Sequence, residues 1–155
     1  RINVYFTKRS FAVTARYIPF EIRTIEELRL PPIVKFFSRL SQGFVLVVGP
    51  NGHGKSTTMA AIVNLINKER VEKIITIEDP IEYLFVPDKS IIDQRELHQD
   101  TNTFDSALRS TFRQNVNVVM VGEMRDYSTI STAVSASETV TCRLYCFRLP
   151  RALHN

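Results

Sequence analysis

Residues 49–56 have the composition and spacing of a loop that binds the phosphate groups of a nucleotide. They read Gly-Pro-Asn-Gly-His-Gly-Lys-Ser and match the pattern G-x-x-x-x-G-K-[ST]. Glycines permit positive φ angles and leave no side chain between backbone and ligand, so successive N–H groups can surround a β-phosphate. The lysine ammonium can reach the β- and γ-phosphate oxygens, and the serine hydroxyl can ligate Mg²⁺. The sequence therefore predicts a site for a nucleoside triphosphate such as ATP, together with Mg²⁺.

The nucleotide-binding residues predicted from this motif are Gly49, Pro50, Asn51, Gly52, His53, Gly54, Lys55, Ser56 and Thr57. Glycine permits a positive φ angle at each of its three positions in the loop. For His53 a spacer role is favoured over a catalytic one, because histidine acts as a switch only where a partner shifts its titration. The alternative to a binding site is a glycine-rich turn that joins a core strand to a core helix.

The segments on either side of the loop are those that such a site requires. Residues 44–48 form an unbroken apolar, β-prone run, and residues 57–68 have the apolar spacing of a helix. The N-terminus of that helix would direct its partial positive charge at the same phosphates. The order of strand, loop and helix favours phosphate binding over the glycine-rich turn.

Two more apolar runs end in acidic residues. The run at residues 74–77 leads into Glu78, and the run at residues 118–121 leads, after one glycine, into Glu123. Ligands of open α/β sheets lie beyond the carboxyl ends of the strands. We therefore expect both carboxylates to lie at the same edge of the sheet as the phosphate loop.

Glu123 is predicted to orient or deprotonate a water molecule against the γ-phosphate. Many NTPases have an aspartate that directs Mg²⁺ at the position before this glutamate, whereas this chain has Gly122. Ser56 and Glu123 are therefore the predicted metal ligands, with the cluster at Glu78 as a further source. The alternative for Glu123 is a solvated carboxylate at a strand end.

Apolar spacing and turn residues predict the remaining elements. These are strands at 2–6, 12–18 and 90–94, a helical turn at 25–30, a helix at 33–40, a helix to Gln114 capped by Asn102 or Thr103, and a last helix to Ser137 that begins at Asp126 or Ser128. Continuous apolar strands that alternate with helices favour an α/β fold with a mostly parallel sheet covered on both faces.

Composition allows one modest globular domain and argues against several classes of protein. The 155 residues are 44% apolar and 23% charged, and no apolar run is long enough for a transmembrane segment. The excess of 20 basic over 16 acidic residues falls at 1–20 and 139–155, which contain no acidic residue. This distribution argues against a nucleic-acid partner. Two cysteines and three histidines show no disulfide or metal pattern, so a reduced, cytoplasmic protein is expected.

Four sequence blocks together resemble the secretion and type IV pilus ATPase superfamily, most closely its twitching-motility, or pilus retraction, members. The blocks are Gly49 to Thr58, Thr76 to Glu82, Gln94 to Glu96, and Val121 to Asp126. Their order and spacing match the family over roughly residues 1–139. The resemblance implies a partial RecA-like P-loop NTPase core, preceded by the last strands of a small α/β N-terminal domain.

The resemblance also implies domain boundaries and a working state. It places the end of the N-terminal domain at 1–20, a linker at 21–32 and the RecA-like core at 33–139. It implies that the full-length protein is a homo-hexamer in the cytoplasm, peripheral at the inner face of the cytoplasmic membrane. Its partner there would be an inner-membrane pilus platform protein.

Further catalytic residues are implied by the same resemblance. The block from Glu78 to Glu82 is similar to the acidic "Asp box" of the family, so both glutamates join Glu123 as catalytic candidates. The family's Walker B segment also has glycine before its glutamate.

An arginine near the phosphates is implied as well. Arg16 is similar to an arginine whose relatives approach the nucleotide phosphates, from the same subunit or a neighbouring one. Arg109 and Arg113 are weaker candidates, for which a solvated or intersubunit salt bridge is favoured.

The likeness ends after residue 139. Residues 140–155 contain both cysteines and neither of the family's histidine motifs, and we predict an aberrant or truncated tail of the kind that a frame-shifted reading produces. Because the chain begins without Met, it is expected to start inside a longer protein.

Two classes of function follow from these observations. The first is an ATP-hydrolysing subunit of a hexameric pilus retraction motor, with pilus-extension and secretion ATPases as alternatives in the same family. The second is a nucleotide-binding fragment that is inactive as a motor. A small P-loop kinase is less favoured, because no arginine-rich lid follows the Walker B strand.

Overall fold

The computed structural model describes residues 2–15, 17–18, 21–50, 52–124, 126–139 and 143–146, with the backbone alone at residues 139 and 143–146. Its elements are β1 (Ile2–Thr7), β2 (Ser10–Ala15), α1 (Ile33–Arg39), β3 (Gly43–Leu46), α2 (Lys55–Glu69), β4 (Lys73–Glu78), β5 (Ile91–Glu96), α3 (Phe104–Thr111), β6 (Val118–Val121), α4 (Tyr127–Thr139) and β7 (Arg143–Cys146). None of the helices in these ranges has the length and apolar character that crossing a membrane requires.

The strands form a hairpin and a larger parallel sheet. β1 and β2 pair in antiparallel fashion around a two-residue turn at Lys8 and Arg9, whose φ angles of 44° and 63° are left-handed. The other five strands are all parallel, in the order β3-β7-β6-β4-β5. The predicted α/β fold with a parallel sheet and flanking helices is confirmed.

Helices cover both faces of this sheet. Side chains on one face pack against α2, and those on the other face pack against α3 and α4. The first cluster includes Met59, Ile62, Ile74, Val118 and Met120, and the second includes Ile75, Ile77, Leu108, Val119 and Ala133. Successive apolar residues of β4 and β6 therefore enter opposite clusters, which explains why apolar residues are adjacent in these strands and do not alternate with polar ones.

The caps of the two later helices follow the predicted chemistry. Thr103 is the N-cap of α3, and its hydroxyl accepts a hydrogen bond of 3.1 Å from the N–H of Ser106. Asp126 precedes α4 and accepts a hydrogen bond of 2.8 Å from the N–H of Thr129. Of the alternatives that the sequence left open, Thr103 and Asp126 are the ones that satisfy these helix starts.

Several boundaries differ from the predicted ones. β3 ends at Leu46 instead of residue 48, and β2 spans Ser10–Ala15 because the hairpin turn is only two residues long. α3 ends at Thr111 instead of Gln114, because tighter turns follow it: the N–H of Arg113 donates to the carbonyl of Ser110 at 3.2 Å, and that of Gln114 to the carbonyl of Thr111 at 3.0 Å. β7 was not predicted; it lies within the expected tail at 140–155, and the rest of that tail is outside the described residues.

Residues 21–32, predicted as a linker, contact the cluster on the α2 face. Thr24 and Glu27 form a reciprocal capping box, in which each side chain accepts from the other residue's N–H at 3.2 Å and 2.7 Å. The turn that they begin places Ile25 in the core, where it is 3% exposed. The boundaries at 20 and 32 remain predictions.

Candidate functional site

The phosphate loop runs from the end of β3 to the first residue of α2. Gly52 and Gly54 each have a φ angle of 78°, and Gly54 is the N-cap of α2. These are left-handed conformations that other residues adopt at a cost, so glycine is required there for its backbone freedom. Gly49 has no positive φ angle, so it does not use this freedom. A Cβ at Gly49 would only make ordinary contacts, at 4.0 Å, with the side-chain carbons of Lys55.

Lys55 is held at the start of α2 with its charge in the loop. It is 9% exposed, and its Nζ donates a hydrogen bond of 2.6 Å to the carbonyl of Pro50. An ammonium group has three N–H donors, so this contact orients Nζ while other donors can bind phosphate oxygens. Ser56 and Thr57 follow in the first turn of α2 and are half-buried. His53 is exposed, and Asn51 lies outside the described residues.

Glu78 and Glu123 lie at the carboxyl ends of neighbouring parallel strands. Ile77 of β4 is opposite Val121 of β6, and the N–H of Gly122 donates to the carbonyl of Ile77 at 2.7 Å. Both glutamates are buried, each 4% exposed. Because β3 is parallel to these strands, its loop opens at the same edge of the sheet. The structure thus brings the phosphate loop and both predicted carboxylates to one edge.

Several hydrogen bonds hold Glu78 in place. Its Oε1 accepts from the hydroxyl of Thr76 at 2.7 Å and from Nε2 of Gln94 at 3.4 Å, and its Oε2 accepts from the N–H of Glu82 at 3.4 Å. Burial nevertheless raises the pKa of the Glu78 carboxyl above its ordinary value, because these bonds do not fully replace hydration. Ionising the carboxyl group of Glu78 therefore costs more free energy in the folded protein than in the unfolded chain.

This raised pKa predicts the direction of a pH effect on stability. Folded Glu78 retains its proton at pH values where the unfolded chain has lost it, so its contribution is present below the unfolded pKa and is lost as pH rises through the folded pKa. We expect the free energy of unfolding of the wild type, minus that of Glu78→Gln, to fall as pH rises from about 4 to about 8. Urea unfolding at a series of pH values measures this difference. Glu69→Gln, at the exposed end of α2, is the control; a difference that is constant or rises with pH would contradict the prediction.

Gln94 of β5 is a site residue whose role the sequence analysis missed. Its Nε2 donates to the carbonyl of Tyr83 at 2.8 Å, and its Oε1 accepts from the N–H of Phe85 at 2.8 Å. Nearby, Glu96 accepts from the N–H of Ile81 at 3.1 Å. Side chains of β5 therefore fix the backbone that follows Glu78. The sequence did contain a signal for this role. Gln94 lies two positions after Ile92 and so on the same face of β5, and Ile92 packs against the α2 cluster, so a polar side chain is placed on an inward-facing side of the strand.

The arginine candidates separate into two cases. Arg16 lies outside the described residues. Arg109 forms an ion pair with Asp105, one turn earlier on α3, with Nε and Oδ2 2.9 Å apart. Because the Arg109 side chain is 63% exposed, this pair agrees with the favoured structural role. Arg113 is exposed just beyond the end of α3.

The oxygen atoms at this edge suit Mg²⁺. Magnesium at nucleotide sites is bound by one or two protein oxygens together with phosphate and water oxygens. Ser56 offers a hydroxyl and Glu123 a carboxylate at this edge. No group of three or more His, Cys, Asp or Glu side chains suited to a metal ion occurs among the residues that the structure describes. The donor set thus fits an ion that is shared with a phosphate ligand.

Most of this chain matches a known protein family and two of its relatives. A family model described as "Type II/IV secretion system protein" matches residues 24–142. A twitching motility protein of Neisseria gonorrhoeae is 48% identical over 139 residues, which is 90% of this chain and 37% of that protein. The type IV pilus retraction ATPase PilT of Pseudomonas aeruginosa is 43% identical over 139 residues, again 90% of this chain and 40% of its own length.

Comparison with solved structures finds a similar fold in a member of the same family. The crystal structure of the pilus retraction motor PilT with bound ADP has a TM-score of 0.92 and 43% sequence identity, and the match covers 97% of this chain and 43% of that one. This chain therefore spans about two fifths of the length of the relatives that it matches. This chain therefore has the fold of the corresponding part of the PilT structure.

Proposed function

This chain belongs to the type II/IV secretion system protein family, and from that premise we propose that it is part of an ATP-hydrolysing subunit of a type IV pilus retraction motor. The observation that carries the proposal is the convergence at one sheet edge of the phosphate loop, Glu78 and Glu123. The likeness to pilus retraction relatives over 139 residues supports this branch of the family over the pilus-extension and secretion branches.

In the proposed site, the loop and the head of α2 bind the triphosphate. Backbone N–H groups between Gly49 and Gly54 bind the β-phosphate, and Nζ of Lys55 binds β- and γ-phosphate oxygens. Ser56 and Glu123 would hold Mg²⁺, which when bound offsets the negative charge of the phosphates. The positive end of the α2 dipole adds to this attraction.

Glu123 is the proposed general base for hydrolysis. Its carboxylate would accept a proton from, or orient, the water that attacks the γ-phosphate. Glu78 is less suited to this task because three hydrogen bonds already hold its carboxylate. We propose that Glu78 and Glu82 act beside it, and that Arg16 stabilises charge on the transferred phosphoryl group from the same or a neighbouring subunit.

The proposed working form is larger than this chain. We propose that residues 1–20 end an N-terminal domain, that 21–32 are a linker, that 33–139 belong to the RecA-like core and that 140–155 form an aberrant tail. The whole protein would assemble as a homo-hexamer at the inner face of the cytoplasmic membrane, against an inner-membrane pilus platform protein. A working form larger than this chain is supported by the family membership and by the length of the relatives, of which the chain spans about two fifths.

We expect the isolated 155-residue chain to bind Mg·ATP, with turnover near background and no stable hexamer. A ring ATPase completes each site with neighbouring surfaces, and this chain spans about two fifths of its relatives. Calorimetric titration, a phosphate-release assay and light scattering measure binding, turnover and assembly.

Two results would contradict these statements in different ways. The absence of any Mg·ATP binding would contradict the proposed function. A hexamer with turnover that Lys55→Ala abolishes would support the function and contradict the expectation for the isolated chain.

A further inference from the structure

One hydrogen bond joins the head of α2 to the segment that follows Glu78. The hydroxyl of Tyr83 lies 2.8 Å from Oγ1 of Thr57, and either oxygen can donate. Thr57 is adjacent in sequence to Ser56, and Tyr83 is adjacent to Glu82. The bond therefore connects the predicted phosphate and Mg²⁺ site directly to the residues 78–83, which we call the acidic segment.

The other side of Tyr83 is fixed to the sheet. Its carbonyl accepts from Nε2 of Gln94 at 2.8 Å, and the same amide group approaches Oε1 of Glu78 at 3.4 Å. The ring of Tyr83 is partly buried against the α2 cluster. Tyr83 thus contacts the head of α2 through its hydroxyl and β5 through its backbone carbonyl.

Residues 86–88, which follow the acidic segment, contact α2 at a different place from Tyr83. Asn67, near the C-terminus of α2, donates from Nδ2 to the carbonyl of Val86 at 2.9 Å and accepts at Oδ1 from the N–H of Asp88 at 3.0 Å. These contacts lie more than two helical turns from the phosphate loop. They fix residues 86–88 whether or not the first turn of α2 moves, whereas the Tyr83 contact follows that first turn.

We propose that Tyr83 is a positioning residue that couples nucleotide binding at the phosphate loop to the placement of the acidic segment. The nucleotide acts on the first turn of α2, Thr57 moves or stiffens with that turn, and its hydrogen bond sets the position of Tyr83 and hence of Glu82 and Glu78. This inference rests on the proposed function, because it requires a nucleotide at the loop.

Backbone amides in and just after the acidic segment report the coupling directly. The N–H groups of Ile81 and Glu82 in the segment, and of Phe85 two residues beyond it, donate to the side chains of Glu96, Glu78 and Gln94. Their hydrogen exchange therefore measures how firmly this stretch of backbone is held. We expect Mg·ADP to increase the protection of these three amides in the wild-type chain. Tyr83→Phe, which removes only the hydroxyl, should reduce that increase by about twofold to tenfold and weaken Mg·ADP binding by a similar factor.

Matched variants distinguish coupling from a purely structural role. Thr57→Val removes the other partner of the bond and should also lose the response. The combination of Thr57→Val with Tyr83→Phe should be no worse than Thr57→Val alone, because both remove the same bond. Tyr127→Phe is the control for loss of a tyrosine hydroxyl, since Tyr127 is 84% exposed on α4.

Each outcome of this experiment supports or overturns the inference. Loss of the Mg·ADP response in Tyr83→Phe, with Tyr127→Phe unchanged, supports it. A response equal to wild type in Tyr83→Phe overturns it, even if the variant melts at a lower temperature, because that result indicates a structural bond only. Calorimetry on the wild-type chain separates the two failures. If Tyr83→Phe responds as wild type and the wild-type chain binds Mg·ADP, only the inference fails. If the wild-type chain does not bind Mg·ADP, the proposed function fails as well.

Discussion

Replacing Glu123 with glutamine is expected to lower the rate of ATP hydrolysis by about a hundredfold or more, while ATP affinity changes by a few fold at most. A general base contributes roughly 10² to 10⁴ in rate, and an amide cannot accept the proton of the attacking water. Affinity should persist because the loop glycines and Lys55 are unchanged. Binding and turnover should therefore separate, which is the signature of an interaction made in the transition state.

We expect the 155 residues alone to turn over near background, so the measurement uses a chimera that continues residue 139 with the remaining part of the Pseudomonas aeruginosa PilT chain. Single-turnover phosphate release then measures the chemical step. Glu69→Gln, at the exposed end of α2, is the matched control and should leave the rate unchanged. A single-turnover rate that Glu123→Gln leaves unaltered would move the role of general base to Glu78 or Glu82.

The sequence was sufficient to predict a parallel sheet and the meeting of the phosphate loop, Glu78 and Glu123 at one edge of it, because both depend on local patterns, whereas β7 was not predicted. The mainly isoleucine run at residues 74–77 and the apolar run at residues 118–121 indicated strands buried on both faces, and these strands lie side by side in the sheet. The acidic residues that follow them reach the same edge as a consequence of parallel pairing. The position of Glu78 and Glu123 thus followed from periodicity and chain direction alone.

Conformation within a motif was harder to predict than the motif itself. Glycine permits left-handed backbone at all three loop positions, but only Gly52 and Gly54 adopt it. A pattern of residue types indicates which backbone conformations are permitted and does not indicate which are used. The end of α3 is a similar case, because the residues after Thr111 form turns in which Arg113 and Gln114 donate to carbonyls three residues earlier, and apolar spacing does not distinguish such turns from a helix.

Contacts between distant residues were beyond prediction from the sequence. Tyr83 and Thr57 are 26 positions apart, and their hydrogen bond depends on how the segment after β4 folds back over α2. Gln94 meets Glu78 and Tyr83 only because β5 pairs in register with β4. Sequence periodicity does not predict contacts between such distant residues. The residues that position the acidic segment could therefore be identified only from the structure.

Replacing Lys55 with alanine is expected to weaken Mg·ATP binding by about tenfold to a hundredfold. A charge-assisted hydrogen bond contributes roughly 1.5 to 3 kcal/mol, which corresponds to that range of affinity. Lys55 is 9% exposed, so its ammonium group acts where water screens it less than at the surface. The variant also loses the contact between Nζ and the carbonyl of Pro50, so thermal unfolding should be measured alongside the titration.

The control for this substitution lies on the same helix. Lys68→Ala removes an exposed ammonium group from the last turn of α2, far from the loop, and should leave Mg·ATP affinity unchanged. The comparison therefore separates a local role of Lys55 from a general loss of positive charge. Equal affinities in the wild type and Lys55→Ala would contradict the assignment of Lys55 to the phosphates. Equal losses in the two variants would indicate that net charge, and not the geometry at the head of α2, attracts the nucleotide.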